Sequence, residues 1–326
     1  MSDSGNKVET TSRLVQWRIQ SLRPCIYVKS DSFRIGNWNW HLSIRKYRGQ
    51  VIRLYPEITR ENPPIASFII RIVSSLDNRK ALTHPGVKDK QLKGRDDFVW
   101  QVDTPLTGKF IIEVEFTDLK SSSPNCGEPY SIWTEKFTLR ESSSPTSVNG
   151  FGRMLSESIH TDITINTSDG SIQAHRAVLS IRSPVFCRMF SHNLKEKEQS
   201  TLNISDISLD ACKSLLNYIY GHIQHEEFVT HRLALLYAAE KYDISDLKDA
   251  CQESLIEDID ATNVLERLQV SFLYQLPKLK TSCKQYLVKF GKVFDIQDDF
   301  NSFIQCADKE LISEIFHEIF HAWKGF

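Results

Sequence analysis

Hydrophobic and polar positions alternate from Leu14 to about Leu139. Alternation places the apolar side chains on one face of an extended strand, where a second sheet can cover them. Turn signals separate the alternating runs, so the pattern predicts an antiparallel β-sandwich. The alternating positions are Val15, Trp17 and Ile19, then Trp38, Trp40, Leu42 and Ile44, then Phe68, Ile70 and Ile72, then Phe98, Trp100 and Val102, and finally Phe110, Ile112, Val114 and Phe116. The turn signals are Gly49, Asn62-Pro63-Pro64, Pro85-Gly86, Thr107-Gly108 and Pro124.

The apolar period changes to that of amphipathic helices in the second half of the chain. One exception is a hairpin, which the pair Asp169-Gly170 predicts between Ile165 and Ile172. The second half is therefore expected to be mainly helical with a small sheet. Its helical stripes are Leu215, Leu216 and Ile219, then Leu247, Cys251 and Leu255, then Leu276, Leu279, Cys283, Tyr286, Leu287 and Phe290, and finally Leu311, Ile315 and Ile319 beside Ile312, Phe316 and Phe320.

A Ser-rich segment without apolar periodicity separates the two patterns. We interpret residues 141–150 as a linker and the polar residues 1–12 as a disordered tail. The 326 residues then divide into a sandwich at 13–140, a second domain at 151–256 and a helical extension at 257–326. Because each half has its own apolar pattern, we expect residues 151–326 to fold without the sandwich.

The run from Asp162 to Phe190 carries a distinctive motif. Asp162 opens a strand, the hairpin follows, and Ala174-His175-Arg176 leads into a helix that reads Ser183-x-x-Phe-x-x-x-Phe190. This run resembles the BTB/POZ domain of plant proteins, with Arg176 where Lys is commonest. Residues 215–221 and 235–251 resemble the later helices of that family. The resemblance covers about 151–256 and implies an α+β fold that assembles with other proteins.

The signature residues of this motif have a structural and a functional interpretation. His175 lies at a strand-to-helix junction, where we expect a buried, hydrogen-bonded histidine because no Ser/Asp or Cys partner pattern accompanies it. Phe186 and Phe190 are four residues apart and are expected in the core.

Apolar residues just before the hairpin are spaced as on one helix face. They are Phe151, Met154, Leu155 and Ile159. The resemblance implies a homodimer with a two-fold symmetric interface through this face. The alternative is that the face packs only on its own domain.

The resemblance also implies a docking site for a cullin-3 type ubiquitin-ligase scaffold. Adaptors of this family often carry an apolar residue, any residue and an acidic residue after the second Phe, and Leu194 and Glu196 match this pattern. Tyr220 occupies a position at which family members contact the scaffold. The alternative is a solvated loop and a core tyrosine.

The N-terminal half resembles the opening of MATH (TRAF-like) sandwiches. The matching residues are Trp17-Arg-Ile19 and the segment from Ser32-Phe33 through Gly36 to Trp40 and Leu42, whereas Asp97 to Trp100 match only loosely. An unrelated sandwich remains the alternative, and substrate-contacting residues are unknown because Trp100 and Trp133 fit either a core or a groove. Residues 257–326 resemble the BACK/3-box-like helical extension of ligase adaptors.

Composition restricts the remaining function classes. A net charge of −1 gives no electrostatic case for nucleic acid or an anionic membrane. The start lacks a signal-peptide run, and no stretch reaches the ~20 apolar residues of a membrane span. Seven scattered cysteines without C-x-x-C favour free thiols and an intracellular location in the cytoplasm or nucleus. We expect no cofactor.

One motif suggests an enzyme. His317-Glu318-x-x-His321 has the spacing of a zinc protease, but it lies too close to the end of the sequence for a downstream third ligand. We therefore expect no catalysis and interpret the chain as a substrate adaptor of a cullin-3 based ubiquitin ligase. The alternative is a BTB oligomerisation scaffold in transcriptional regulation, which the lack of zinc-finger spacing and of a basic stripe disfavours.

Overall fold

The computed structural model describes residues 7–22, 27–46, 49–57, 62–74, 81–121, 129–135, 145–191 and 200–323. The chain forms two compact units. The first consists of Met1–Lys136 together with Gln285–Asp295, and the second of Phe137–Lys284 together with Ile296–Phe326.

The first unit is a β-sandwich, and its antiparallel pairing confirms the predicted class. Its strands are β1 (Val8–Thr10), β2 (Leu14–Ile19), β3 (Tyr27–Lys29), β4 (Phe33–Ile35), β5 (Trp38–Lys46), β6 (Gln50–Pro56), β7 (Ile65–Ser74), β8 (Leu82–Thr83), β9 (Val87–Gln91), β10 (Val99–Val102), β11 (Phe110–Ser121) and β12 (Tyr130–Ser131), followed by a short helix α1 (Ile132–Glu135).

Two sheets make up the sandwich. The seven-stranded sheet has the order β1-β2-β11-β7-β8, with β12 beside β11 and β9 beside β7. The five-stranded sheet has the order β10-β6-β5-β3, with β4 beside β5. The long strand β11 lies between β2 and β7, and therefore organises the first sheet.

The alternating residues of both sheets meet in one core. Trp17 and Trp40 are fully buried, and the ring centroids of Trp40 and Phe116 lie 5.0 Å apart across the sandwich. Trp133 is buried in this core, and Trp100 packs against it half-buried. Trp133 is thus a core residue, whereas Trp100 lies at the edge of the core with part of its ring exposed.

Residues Gln285–Asp295, the inserted segment, belong to the sandwich unit. The sequence placed them within a continuous helical extension at 257–326, on the apolar stripe that runs to Phe290. The structure instead continues with a π-helical turn at Gln285–Lys289 and a 3₁₀ turn at Lys292–Phe294. Gly291 separates them in the left-handed conformation at φ +67°. A π turn and a left-handed glycine both break the helical repeat, which explains the difference.

The second unit is helical around a three-stranded sheet. The Asp-Gly hairpin is confirmed, since β13 pairs antiparallel with β14, and β15 adds in parallel on the other side of β13. The elements are α2 (Pro145–Ser156), β13 (Ile163–Asn166), β14 (Ser171–Ala174), α3 (Arg176–Arg182), α4 (Pro184–Ser191), β15 (Thr201–Asn203), α5 (Leu209–Ile219), α6 (His225–Lys241), α7 (Ser245–Glu257), α8 (Val264–Leu273), α9 (Pro277–Lys284), α10 (Gln297–Cys306) and α11 (Lys309–Trp323).

Helix α2 begins inside the segment that the sequence assigned to a linker at 141–150. Pro145 is its first residue, a position that proline favours because its fixed φ suits the first turn and no backbone N–H is needed there. The predicted linker is therefore partly helical, and its residues 141–144 lie outside the described residues.

A partly buried ion triad joins three helices of the second unit. The Asp258 carboxylate follows α7 and pairs with Arg232 of α6 at 2.7 Å and with Arg267 of α8 at 2.6 Å. Burial alone would raise the pKa of Asp258, but the two guanidinium groups lower it. The triad therefore links α6 and α8 to the end of α7.

We predict that Gly36→Ala destabilises the sandwich unit. Gly36 has φ +61°, and an added Cβ would lie 2.1 Å from Ile132 Cδ1. The left-handed backbone and the overpacking together cost at least about 2 kcal/mol. Thermal denaturation should show a lower midpoint for this variant. Gly86→Ala, where the nearest atom would be 3.9 Å away, is the matched control, and equal midpoints for both variants would contradict the argument.

Candidate protein-binding surfaces

His175 is the centre of a buried hydrogen-bond network in the second unit. It lies between β14 and α3, and its backbone N–H donates to Tyr220 Oη at 2.9 Å. Its ring atom Nε2 lies 2.6 Å from the Ile159 carbonyl oxygen, and Nδ1 lies 2.7 Å from Tyr220 Oη. A carbonyl can only accept, so Nε2 carries the proton and Nδ1 accepts from the tyrosine hydroxyl. This arrangement supports the structural interpretation of His175.

Tyr220 is a core residue in this chain. Its side chain is 3% exposed, and burial raises its pKa to about 12. The ring was expected to contact a scaffold, but its burial leaves almost no surface for an external partner, and its hydroxyl is bound to His175. Its role is to fix the end of α5 against the β14–α3 junction.

The other signature residues also build the domain. The Asp162 carboxylate accepts the Arg176 N–H at 2.8 Å at the start of α3. Ser183 Oγ accepts the Phe186 N–H at the start of α4 and donates to the Tyr242 carbonyl. Ala174 and Phe186 are buried, and the Phe186 ring stacks on Tyr242 with centroids 4.3 Å apart.

Phe190 differs from the core position that the sequence predicted. It stacks on Phe186 at 6.1 Å but is only half-buried, and the Arg176 guanidinium lies 5.5 Å from its ring centroid. A position near the end of α4 leaves one side of its ring in solvent. Leu194 and Glu196 follow it and lie outside the described residues, so their proposed scaffold contacts stay a prediction.

The apolar residues of α2 are partly buried within their own unit and partly exposed to solvent. Phe151 is 52% exposed and Met154 half-buried, whereas Leu155 is buried. Gly152 also points inward, because an added Cβ would lie 2.8 Å from the His222 ring. Ile159 lies beyond the end of α2 and is half-buried. The surface therefore retains Phe151, Met154 and Ile159, while Leu155 packs within its own chain.

Ile181 is an exposed apolar residue that the sequence reasoning missed. It is 84% exposed on α3, two residues after the buried Leu179. Residues two apart on a helix point to different faces, and this rule was the available signal. Single exposed apolar residues are common on protein surfaces, so the exposure of Ile181 alone does not mark a binding site.

A cationic and aromatic surface lies on the outer face of the five-stranded sheet. The Arg95 guanidinium lies 4.9 Å from the Tyr27 ring centroid and 5.4 Å from that of Tyr55, and Lys29 Nζ lies 6.0 Å from the Tyr55 ring. Burial raises the Tyr55 pKa to about 12, so its hydroxyl stays protonated. Sequence patterns could not show this surface, because Arg95 comes from a loop far along the chain.

Histidine, cysteine and carboxylate side chains are the candidates for metal binding or catalysis among the described residues. The described residues contain no group of three or more His, Cys, Asp or Glu side chains placed to hold a metal ion. In the H-E-x-x-H motif, Glu318 pairs with Lys284 at 3.3 Å, and the His321 side chain lies outside the description. Burial raises the pKa of the Cys212 and Cys283 thiols to about 12, which keeps them protonated. Across the same described residues, every helix is too short or too polar to cross a bilayer.

A family model matches part of this chain, and two plant proteins are similar to it over its full length. The family model described as BTB/POZ domain matches residues 151–259. The chain is similar over its full length to the BTB/POZ domain-containing protein At1g55760 of Arabidopsis thaliana, with 61% identity and 100% of both chains covered. It is also similar to the BTB/POZ domain-containing protein At1g21780 of the same plant, with 50% identity and 98% of both chains covered.

A more distant relative matches only part of its own length. The protein maternal effect lethal 26 of Caenorhabditis elegans is 31% identical over 53% of this chain and 44% of its own length. The full-length similarity decides the assignment, and the signature residues around His175 agree with it. The chain belongs to the family of BTB/POZ domain-containing proteins.

Proposed function

We propose that the chain is a substrate adaptor of a cullin-3 type ubiquitin ligase. One observation carries the proposal: a BTB/POZ domain stands in one chain with a β-sandwich that has its own complete core. In this proposal the BTB/POZ domain forms a homodimer and binds the scaffold, and the MATH-like sandwich captures the target. The adaptor needs no catalytic group, because it accelerates ubiquitin transfer by raising the effective concentration of the target.

The cationic surface around Arg95 is the candidate capture face. Lys29 and Arg95 are the cations of this face, whereas the Arg53 side chain is mostly covered and pairs with Asp96 at 2.9 Å. Tyr27 adds an exposed ring, and aromatic and Arg side chains dominate protein interfaces. The chemistry of this face favours an acidic peptide segment of the target.

Dimerisation provides the first test of the BTB/POZ part. We predict that Phe151→Asp with Met154→Asp yields a monomer, because an isologous interface would then bring four carboxylates together. Light scattering at micromolar concentration measures the change in mass. Leu273→Asp is the matched control, since Leu273 is 71% exposed and belongs to a different helix, α8. A monomeric wild type would remove the dimer from the proposal.

Scaffold binding provides the second test. We predict that Leu194→Asp with Glu196→Lys weakens binding to the N-terminal domain of a cullin-3 scaffold at least tenfold, or about 1.4 kcal/mol. The pair would lose an apolar contact and a charge-assisted hydrogen bond. Calorimetric titration measures the affinity, and Lys195→Ala with Lys197→Ala in the same loop is the control.

Three results of that titration carry different conclusions. A tenfold loss with unchanged dimer mass supports both residues. Unchanged affinity of a folded double variant removes the two residues but retains the adaptor. A wild-type dimer that binds no scaffold domain overturns the adaptor and favours the oligomerisation scaffold.

A further inference from the structure

A buried ion pair attaches the inserted segment Gln285–Asp295 to the seven-stranded sheet. Lys292 Nζ lies 2.5 Å from Glu113 Oε1, and the two side chains are only 7% and 4% exposed. Lys292 also pairs with Asp295 at 3.1 Å, but the Asp295 side chain is 57% exposed. Glu113 is therefore the buried partner of this cation.

The sheet also satisfies the backbone of the inserted segment. The side-chain amide of Gln16 on β2 donates to Glu113 Oε2 and to the Phe290 carbonyl, each at 2.9 Å. Arg18 on the same strand donates to the Lys289 carbonyl at 2.8 Å. Carbonyl groups at the end of a helical turn lack partners within the turn, so these side chains replace the missing helical donors. The contacts therefore fix the position of the segment along β2.

The inserted segment contributes apolar burial as well as polar contacts. Tyr286, Leu287 and Phe290 are 4%, 0% and 4% exposed. A buried ion pair gains little over its desolvation cost, whereas the burial of large apolar side chains is a main source of folding free energy. Moving the segment into water would lose this burial, so the segment is a permanent part of the fold.

Both ends of the segment lead directly into helices of the second unit. Helix α9 ends at Lys284, immediately before the segment, and α10 begins at Gln297, one residue after it. Cys283 and Ile296, which flank the segment, are buried. With at most one residue between the segment and each helix, the chain has little slack for one side of the junction to unfold alone.

We propose that the inserted segment, held by the pair of Lys292 and Glu113, makes the sandwich and the second unit unfold as one cooperative unit, although the sequence predicts two independent domains. The segment is shared, because it belongs to the sandwich unit while its backbone continues the helices of the second unit. A chain that ends before residue 285 would lack the cation that pairs with Glu113. The sandwich therefore reaches its full stability only in a chain that carries the C-terminal region.

Hydrogen exchange of the full-length chain in increasing denaturant tests the shared unfolding. The Phe116 amide of the sandwich and the Tyr242 amide of the second unit are both bonded to backbone carbonyls and serve as reporters. We expect their opening equilibria to merge to within about threefold, with the same denaturant dependence, because only global unfolding exposes either amide. Two openings with different denaturant dependence overturn the proposal.

A substitution in the sandwich should also be detected in the second unit. Glu113→Gln leaves Lys292 buried without its carboxylate, which is strongly destabilising. We expect it to speed exchange at Phe116 and at Tyr242 by the same factor, at least about tenfold. Glu115→Gln on the same strand is the matched control, since the Glu115 side chain is 30% exposed. Faster exchange at Phe116 with Tyr242 unchanged contradicts the proposal.

The double variant Glu113→Gln with Lys292→Met separates the ion pair from a general loss of stability. Removing both charges removes the unpaired group that each single substitution leaves behind, so the double variant should exchange no faster than either single variant. Effects that multiply, as for two independent sites, overturn the role of the pair. If a single variant does not fold, the wild-type comparison of Phe116 with Tyr242 decides the proposal by itself.

Discussion

A carboxylate on the outer face of a β-sheet has to be paired once it is buried, and Glu113 is that carboxylate. It lies on the central strand of the seven-stranded sheet and gathers Gln16, Arg71 and Lys292 around it. Lys292 is 179 residues away along the chain. The sandwich unit therefore includes residues from the far end of the sequence.

The second unit depends on a different buried contact. The Tyr220 hydroxyl satisfies both the backbone N–H and the ring of His175, and the ring in turn donates to the Ile159 carbonyl. One network thus fixes the end of α5, the strand-to-helix junction and the turn after α2. Phe151 and Met154 on α2 and Ile181 on α3 remain outside, where another chain can reach them. A rigid core with apolar side chains left at its surface suits assembly, which is what the adaptor proposal requires.

The sequence predicted the helices and strands better than the contacts between residues that are distant along the chain. Alternation identified the main strands, including β11, because Phe110, Ile112, Val114 and Phe116 keep one face apolar up to the register shift after Phe116. The Asp-Gly pair located the hairpin, and Ala174, His175 and Phe186 are buried as expected, whereas Phe190 is half-buried. Periodicity could not separate Tyr286 and Leu287 from the stripe that begins at Leu276, since the π turn that divides them leaves no mark in the apolar spacing.

Most of the functional contacts that the sequence did not predict involve charged residues. Lys292 looks like any solvated lysine until the fold places it beside Glu113, and Arg95 looks like a loop residue until it stacks on two tyrosines. For Tyr220 the sequence predicted a surface contact, but the side chain is buried. An amphipathic ring fits a surface as well as a core, so the residue type alone does not distinguish the two. Such assignments depend on contacts between distant residues, which local patterns do not encode.

Native mass spectrometry of the full-length chain mixed with the N-terminal domain of a cullin-3 scaffold tests the adaptor account most directly. The account predicts an assembly of two chains with two scaffold domains, because each subunit of a symmetric dimer presents the same docking loop. A chain that stays free of the scaffold domain at tens of micromolar, whether as monomer or dimer, would contradict it.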